Sequence, residues 1–247
     1  MVDKMKIKPI ILLITSAIIF SACGLPVRYT EVRGSGNVIT QTRTVAGFNT
    51  IELSGVGTLI IEQGNKEALE ITAEDNLMDY IKSDVYGSRL QLGGDEFVNI
   101  HPTRDIVYRL KVKNLNQIET SGLGKVEIRK LDTNSLGLEI SGNGRMSIDD
   151  LQATTLQLDI SGLGDISLAG SVRDQQVEIS GAGNYKAPNL ASKTCKVEIS
   201  GTGSAIVWVT DRLDLELSGA GNVHYYGNPV LNSEISGMGT VKNLGSK

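Results

Sequence analysis

An acidic residue stands two positions ahead of each of eight serines. Glu52, Glu119, Glu139, Asp159, Glu178, Glu198, Glu216 and Glu234 precede Ser54, Ser121, Ser141, Ser161, Ser180, Ser200, Ser218 and Ser236. Carboxylates at regular spacing suit two chemistries. They can supply oxygens to a hard cation such as Ca²⁺, which takes about six to eight, and acids clustered with lysines or arginines in long loops serve β-helices that cleave acidic polysaccharides. The first use would fall to Glu139, Asp159, Glu178, Glu198 and Glu216, and only as weak sites, because each repeat brings a single carboxylate. The Gly-Gly-x-Gly-x-Asp pattern of calcium-binding β-rolls is absent. A solvated face relieved by outward neighbours such as Lys196 accounts for the column, so no metal is assigned.

The second use lacks its setting, because the coils from Ser121 to Ser236 are short and even with no such insertion. Each serine opens a Ser-Gly-x-Gly motif, which invites reading as a nucleophile corner or a phosphate cradle. A serine nucleophile needs a base, and the chain has two histidines, His101 and His224. A phosphate loop needs a helix start and a lysine after its glycines, and here alternating strand sequence follows. Asp149-Asp150 beside Arg145, and His101 with Arg104 and Asp105, are the nearest charged clusters; both are too generic to name a reaction. No catalytic residue and no cofactor is assigned.

The aromatic residues offer a binding chemistry instead. The chain has eleven, and its single tryptophan, Trp208, lies eight residues after Ser200, as Tyr226 lies after Ser218. Equal offsets place the two rings on neighbouring repeats. Facing outward, with His224 close by, they would make a platform for a glycan or a protein partner. Facing inward they would be packing, and Ile206, which shares the phase of Trp208, weighs on that side.

What positions these groups is the repeat itself. From Ser121 onward successive motifs are 20, 20, 19, 20, 18 and 18 residues apart, the signature of a solenoid. Leu156 to Leu168 shows one unit: apolar and polar residues alternate to Ile160, Ser-Gly-Leu-Gly intervenes, and Ile166 and Leu168 resume the alternation. Period two means strand. Each unit is therefore strand, corner, strand, with Gly122 and Gly124, Gly142 and Gly144, Gly162 and Gly164, Gly181 and Gly183, Gly201 and Gly203, Gly219 and Gly221, and Gly237 and Gly239 at bends where positive φ or a close neighbouring backbone excludes a Cβ. A sandwich of short strands has no reason to repeat one corner at one offset. The expected fold is all-β, a right-handed parallel β-helix of about ten coils at roughly 18–20 residues each, with coils about 4.8 Å apart.

The N-terminus reads as a leader. Lys4, Lys6 and Lys8 precede an apolar run from Pro9 to Phe20, too short to span a bilayer, and then Phe20-Ser21-Ala22-Cys23 resembles a bacterial lipobox. Residues 1–22 are expected to be a lipoprotein signal peptide, Cys23 the lipidated residue, 23–33 a tether, and 34–247 a single β-helical domain. Within it, 54–120 holds less regular coils and 121–244 the regular ones. Gly34 to Val38 resembles a degenerate first corner, and Asn76 to Lys82 reads as one helical turn capped by Asp75. Cys195 is then without a disulfide partner and shares the inward phase of Val197 and Ile199. The net charge is −4, and losing three lysines with the leader makes the mature chain more acidic; with no basic stripe, nucleic acid is excluded as a partner. The expected partners are a membrane, through lipid, and a glycan or an envelope protein. End-to-end self-association is a further expectation, since an uncapped solenoid edge recruits strands.

Asp75-Asn76-Leu77, Gly203 to Val207, Tyr225-Tyr226-Gly227-Asn228-Pro229 and the repeated Ser-Gly-x-Gly resemble the putative auto-transporter adhesin head GIN domain family (DUF2807). The likeness runs from about Gly34 to Leu244. It implies a β-helical, envelope-associated protein with no established enzymatic activity.

Overall fold

The computed structural model describes residues 30–95 and 97–247. The expected leader, Cys23 and the tether as far as residue 29 lie outside the described residues. Those described form eighteen strands and one short 3-10 segment. Strands β1 (Thr30–Arg33) and β2 (Val38–Arg43) precede β3 (Thr50–Leu53) and β4 (Thr58–Gln63), which flank the corner at Ser54. Then come β5 (Ala68–Glu74), the 3-10 segment (Asp75–Tyr80), β6 (Ile81–Tyr86), β7 (Arg89–Gly94), β8 (Val98–His101) and β9 (Val107–Val112). The short β10 (Gln117–Thr120) leads into five long strands, each running from one corner to the next: β11 (Lys125–Ile140), β12 (Arg145–Ile160), β13 (Asp165–Ile179), β14 (Asn184–Ile199) and β15 (Ser204–Leu217). Strands β16 (Asn222–Tyr226), β17 (Val230–Ile235) and β18 (Thr240–Asn243) end the chain.

The expected parallel solenoid is present. Each long strand pairs in parallel with the next, so residues at the same place in successive repeats become neighbours. Ile118, Leu138, Leu158, Val177, Val197 and Leu215 form one apolar column through this register. All six are buried. Parallel strands covered on both sides need near-continuous apolar layers, and the alternation supplies them coil after coil.

The corners show why glycine recurs. From Ser121 onward none of the motif glycines has a positive φ; the exceptions are in the first corner, at Gly55 (+94°) and Gly57 (+134°). The later ones are required by close approach. A Cβ on Gly162 would lie 1.9 Å from the carbonyl oxygen of Gly142, and one on Gly201 1.9 Å from that of Gly181. Backbone amides cross the same gap: the Leu163 N–H donates to the Gly142 carbonyl at 3.0 Å, and the Thr202 N–H to that of Gly181 at 3.0 Å. Of the two reasons a corner can need glycine, the regular array uses the second.

The coil count differs from expectation. About six turns wind in sequence, from the corner at Ser121 to that at Ser236, because residues 54–120 do not make three consecutive coils. The corner at Ser54 lies directly against the one at Ser121, with the Leu123 N–H donating to the Gly55 carbonyl at 2.8 Å. The chain between them folds to the far side of the Ser54 layer, where β7 pairs in parallel with β3 and β9 with β4. Beyond that layer the direction changes: β6 runs antiparallel to β7, and β5 runs antiparallel to both β9 and β2. Antiparallel strands thus close this end.

Three local expectations are corrected here. Gly34 to Val38 is not a corner but a loop into β2, gripped by the turn after β5. The helical turn spans Asp75–Tyr80 as 3-10 structure, and its capping position is Glu74, which makes no side-chain cap bond. Thr30–Arg33, expected within the tether, is a strand that pairs with β8 in a separate two-stranded sheet. At the other end β17 is exposed throughout, and Val230, Leu231, Ile235 and Met238 present apolar surface.

Candidate ligand-binding platform

Alternation decides where the aromatic pair points. Val207, Val209 and Tyr225 are buried, so Trp208 and Tyr226, in the opposite phase, face outward and are half-buried. The register puts Trp208 opposite Tyr226 and Ile206 opposite His224 on neighbouring coils. Trp208, Tyr226 and His224 therefore share one face, as the equal offsets suggested, and Ile206 shares it too.

The rings are occupied from above. The chain doubles back after β18: the Leu244 N–H donates to the Tyr225 carbonyl at 2.8 Å and the Gly227 N–H to the Gly245 carbonyl at 2.9 Å. Gly227 has φ +98°, and a Cβ there would lie 2.0 Å from the Val209 carbonyl oxygen, so the turn after Tyr226 can pack against the preceding coil only as glycine. Lys247 ends with its ammonium 5.2 Å from the centre of the Trp208 ring and 4.9 Å from that of Tyr226. The same ammonium donates to Asn189 Oδ1 at 2.6 Å and to the Pro188 carbonyl.

A buried polar relay fixes the platform from behind. The Tyr185 hydroxyl donates to Gln175 Oε1 at 2.8 Å, and Gln175 Nε2 donates to Ser192 Oγ at 2.7 Å. The Ser192 hydroxyl then donates to the Trp208 carbonyl at 3.0 Å. Burial pushes the Tyr185 phenol far above its ordinary pKa, so it stays a donor. Unpaired, these groups would be costly inside an apolar core; paired, they set the backbone where the β14–β15 register slips. Cys195, next to Gln175 in the column, is buried as expected, and burial holds its thiol protonated.

The acidic column is real and unevenly compensated. Register places Glu52, Glu119, Glu139, Asp159, Glu178, Glu198, Glu216 and Glu234 in one row, each beside the next. Arg89 bridges Glu52, at 3.2 Å, and Glu119 at one end. Lys196 bridges Glu198 at 2.5 Å and Glu216 at 3.2 Å near the other. Between them Glu139 has its carboxyl pushed up by burial and then by the charges of Glu119 and Asp159. Among the described residues no group of three or more metal-ligating side chains converges.

The charged clusters weighed for catalysis do not converge either. Asp150 is bonded by Gln152 at 3.0 Å and paired with Lys130 at 3.5 Å. His101 pairs with Glu31, while Arg104 gives its backbone N–H to Glu74 at 3.3 Å.

Sequence reasoning found the rings but missed Lys247, Pro188, Asn189 and the Gln175–Ser192 relay. The relay had a signal, since Gln175 and Ser192 interrupt apolar columns. Arg89 had one as well: Arg89-Leu90-Gln91-Leu92 repeats the pattern of Thr50-Ile51-Glu52-Leu53. Lys247 had none, because its position depends on how the tail folds.

A family model described as putative auto-transporter adhesin, head GIN domain, matches residues 47–229. The chain belongs to this family. A solved structure described as a putative adhesin from Bacteroides fragilis is similar to it at 28% identity and TM-score 0.83, covering 86% of this chain and 100% of its own. One described as a putative lipid binding protein from Parabacteroides distasonis shares the fold at 22% identity and TM-score 0.75, covering 87% of this chain and 100% of its own. A putative adhesin from Parabacteroides merdae does so at 23% and 0.70, covering 87% and 99%. No curated protein matches the chain. Among the described residues no helix is long and apolar enough to cross a membrane.

Proposed function

We propose that this GIN-domain chain is a non-enzymatic binding module of the cell envelope. Lipid on Cys23 holds it at a membrane, and a stiff solenoid displays the Trp208–Tyr226 platform, with His224 beside it, to a glycan or an envelope protein. The observation that carries this reading is the preorganised ring pair, outward on adjacent coils and backed by a satisfied buried relay. Rigid rings in a fixed frame lose little entropy on binding. The evenness of the coils favours display over catalysis, since a polysaccharide-cleaving site would need a local break filled with converging charges. The family's name supports an adhesive role at the cell surface.

A structural envelope element without a ligand is the second reading. The Lys247 contact favours it, because the rings would then serve to pin the chain's own tail.

One experiment separates the two. A glycan and peptidoglycan array is probed with the soluble form starting at Gly24 and with its Trp208→Ala, Tyr226→Ala double variant. Binding that the double variant loses supports the display module. No binding by a folded protein, or binding the variant retains, removes the platform from the function. For the anchor, Cys23→Ser is expected to shift the full chain from the membrane to the soluble fraction, and its retention in the membrane overturns the lipid.

A further inference from the structure

The contact made by Lys247 has the composition of a receptor. Two aromatic faces lie within about 6 Å of one ammonium, the range in which a ring quadrupole attracts a cation. Two neutral oxygens, the Pro188 carbonyl and Asn189 Oδ1, accept its protons. None of these four groups comes from the tail itself. The rings stand paired on adjacent coils, and the oxygens lie on the coil before, where the register between β14 and β15 is interrupted. Asp165, two register positions from Ser167 on the same run of strands, is bonded to Asn184 at 2.8 Å and lies 3.7 Å from Lys186, and Asp211, three residues after Trp208, accepts from the Thr210 hydroxyl at 2.6 Å. The ammonium is therefore held by rings, a carbonyl and an amide, with no carboxylate among its partners.

We propose that Trp208, Tyr226, Pro188 and Asn189 form a site for a primary ammonium group, which Lys247 fills in the free protein and an ammonium-bearing ligand takes by displacing the tail. This rests on the reading of the platform as a ligand site, and it gives the ligand its chemical class. The tail is a suitable stand-in because its hold is modest. It is tied by the Leu244, Gly245 and Asn243 contacts to Tyr225 and Gly227, and its last two residues form no strand. A tethered lysine competes as an effective concentration in the millimolar range, enough to mask weak amines and too little to exclude a multivalent ligand. The ammonium could come from a lysine side chain or from an amino sugar.

The test uses the single tryptophan, which sits in the site. Trp208 emission is followed in the full chain and in Lys247→Ala at constant ionic strength. The ligands are N-acetyl-lysine methylamide and glucosamine, each paired with its uncharged N-acetylated counterpart. The expected result is a saturable change in Lys247→Ala with at least one amine and with neither neutral control, and an affinity several-fold weaker when Lys247 is present. Tyr226→Leu in the Lys247→Ala background keeps the bulk and removes the ring, and should weaken binding by about 2-fold to 5-fold. A response to the lysine derivative alone places the ammonium on a polypeptide; a response to glucosamine alone places it on a sugar. Flat titrations of folded Lys247→Ala, or equal responses to charged and neutral partners, overturn the proposal. If the array shows platform-dependent binding while the amines do nothing, only the ammonium assignment falls.

Discussion

The two ends of this solenoid use one corner under different rules. In the array from Ser121 to Ser236, chain neighbours are also spatial neighbours, and the corner glycines are fixed by backbone stacked at contact distance. At Ser54 the motif is the same, but the next corner in space is 67 residues away in sequence. Its glycines carry positive φ, and a Cβ on Gly55 would meet nothing within 4 Å. Repetition extends a solenoid but cannot close it. Here the N-terminal end spends some 45 residues of irregular chain, from β5 to β9, on antiparallel strands that cover the edge. Towards the C-terminus the described residues keep the parallel repeat through β17 and β18.

The sharpest way to break this comparison is to add one methyl group at each end. Gly162→Ala drives a Cβ onto the Gly142 carbonyl, a clash with backbone that no rotamer relieves. It is expected to cost about 3 kcal/mol or more, at or beyond the top of the usual overpacking range. Gly55→Ala meets only the backbone preference against positive φ, about 1–2 kcal/mol. Urea unfolding of both variants checks the order. Equal losses would mean that the two corners are held alike.

Next in size is the grip on the closing strands. Glu74 has no accessible surface, yet it lies at the thinly covered end of the molecule. Its carboxylate accepts from the Gly36 N–H at 2.6 Å, the Thr103 N–H at 2.8 Å and the Thr103 hydroxyl at 2.5 Å. Those bonds, the Thr103 hydroxyl foremost, hold its pKa below the ordinary value. A group lowered on folding stabilises fully above its unfolded pKa, about 4.3, and that contribution is lost as pH falls through the folded value. Corrected for intrinsic rate, hydrogen exchange at residues 34–43 and 98–104 should therefore quicken as pH drops below about 4, while that in β12 to β14 stays unchanged. Glu74→Gln should make the N-terminal end exchange fast already at neutral pH and reduce its pH dependence to that of Asp75, bonded by Ser35 and Asn37, and Glu31, bonded by Asn99, both also held below their ordinary values. A wild-type end that loosens together with the array would remove Glu74 as the local clamp.

The same division governs how much the sequence revealed. In the array, period and alternation are local properties, so the columns, the acidic row, the buried Cys195 and the pairing of Trp208 with Tyr226 could all be read from spacing. The sequence of the N-terminal end reads as more coils because β5, β7 and β9 alternate just as coil strands do. Alternation reports which face is buried and says nothing of whether the partner runs parallel or antiparallel. Gly34-Ser35-Gly36 imitates a corner for a related reason. Its glycines serve a loop held by Glu74, Asp75 and Asn76, as where a Cβ on Gly34 would strike the Glu74 carboxyl. At the platform, the rings belong to the repeat and were visible; Lys247 belongs to the tail and was not.

The smallest expected effect lies at the junction between the two regimes. Thr120 sits between Leu53 and Ile140 in a column otherwise built of Leu and Ile. It is buried, and its hydroxyl has no hydrogen-bond partner. An unpaired buried hydroxyl carries a desolvation cost that a methyl group of the same size does not. Thr120→Val is therefore expected to raise stability by about 1 kcal/mol, read as a higher urea midpoint at unchanged slope. The direction is informative because the neighbouring coils already hold larger residues at this position, so space is not what selects threonine. β10 is the short strand that rejoins the array after the chain returns from the far end, pairing β3 on one side and β11 on the other. A gain would show that this seam is joined by packing alone, with the hydroxyl idle. A loss would show that the hydroxyl works at the seam, and that the two regimes meet through a polar contact rather than a continuous apolar column.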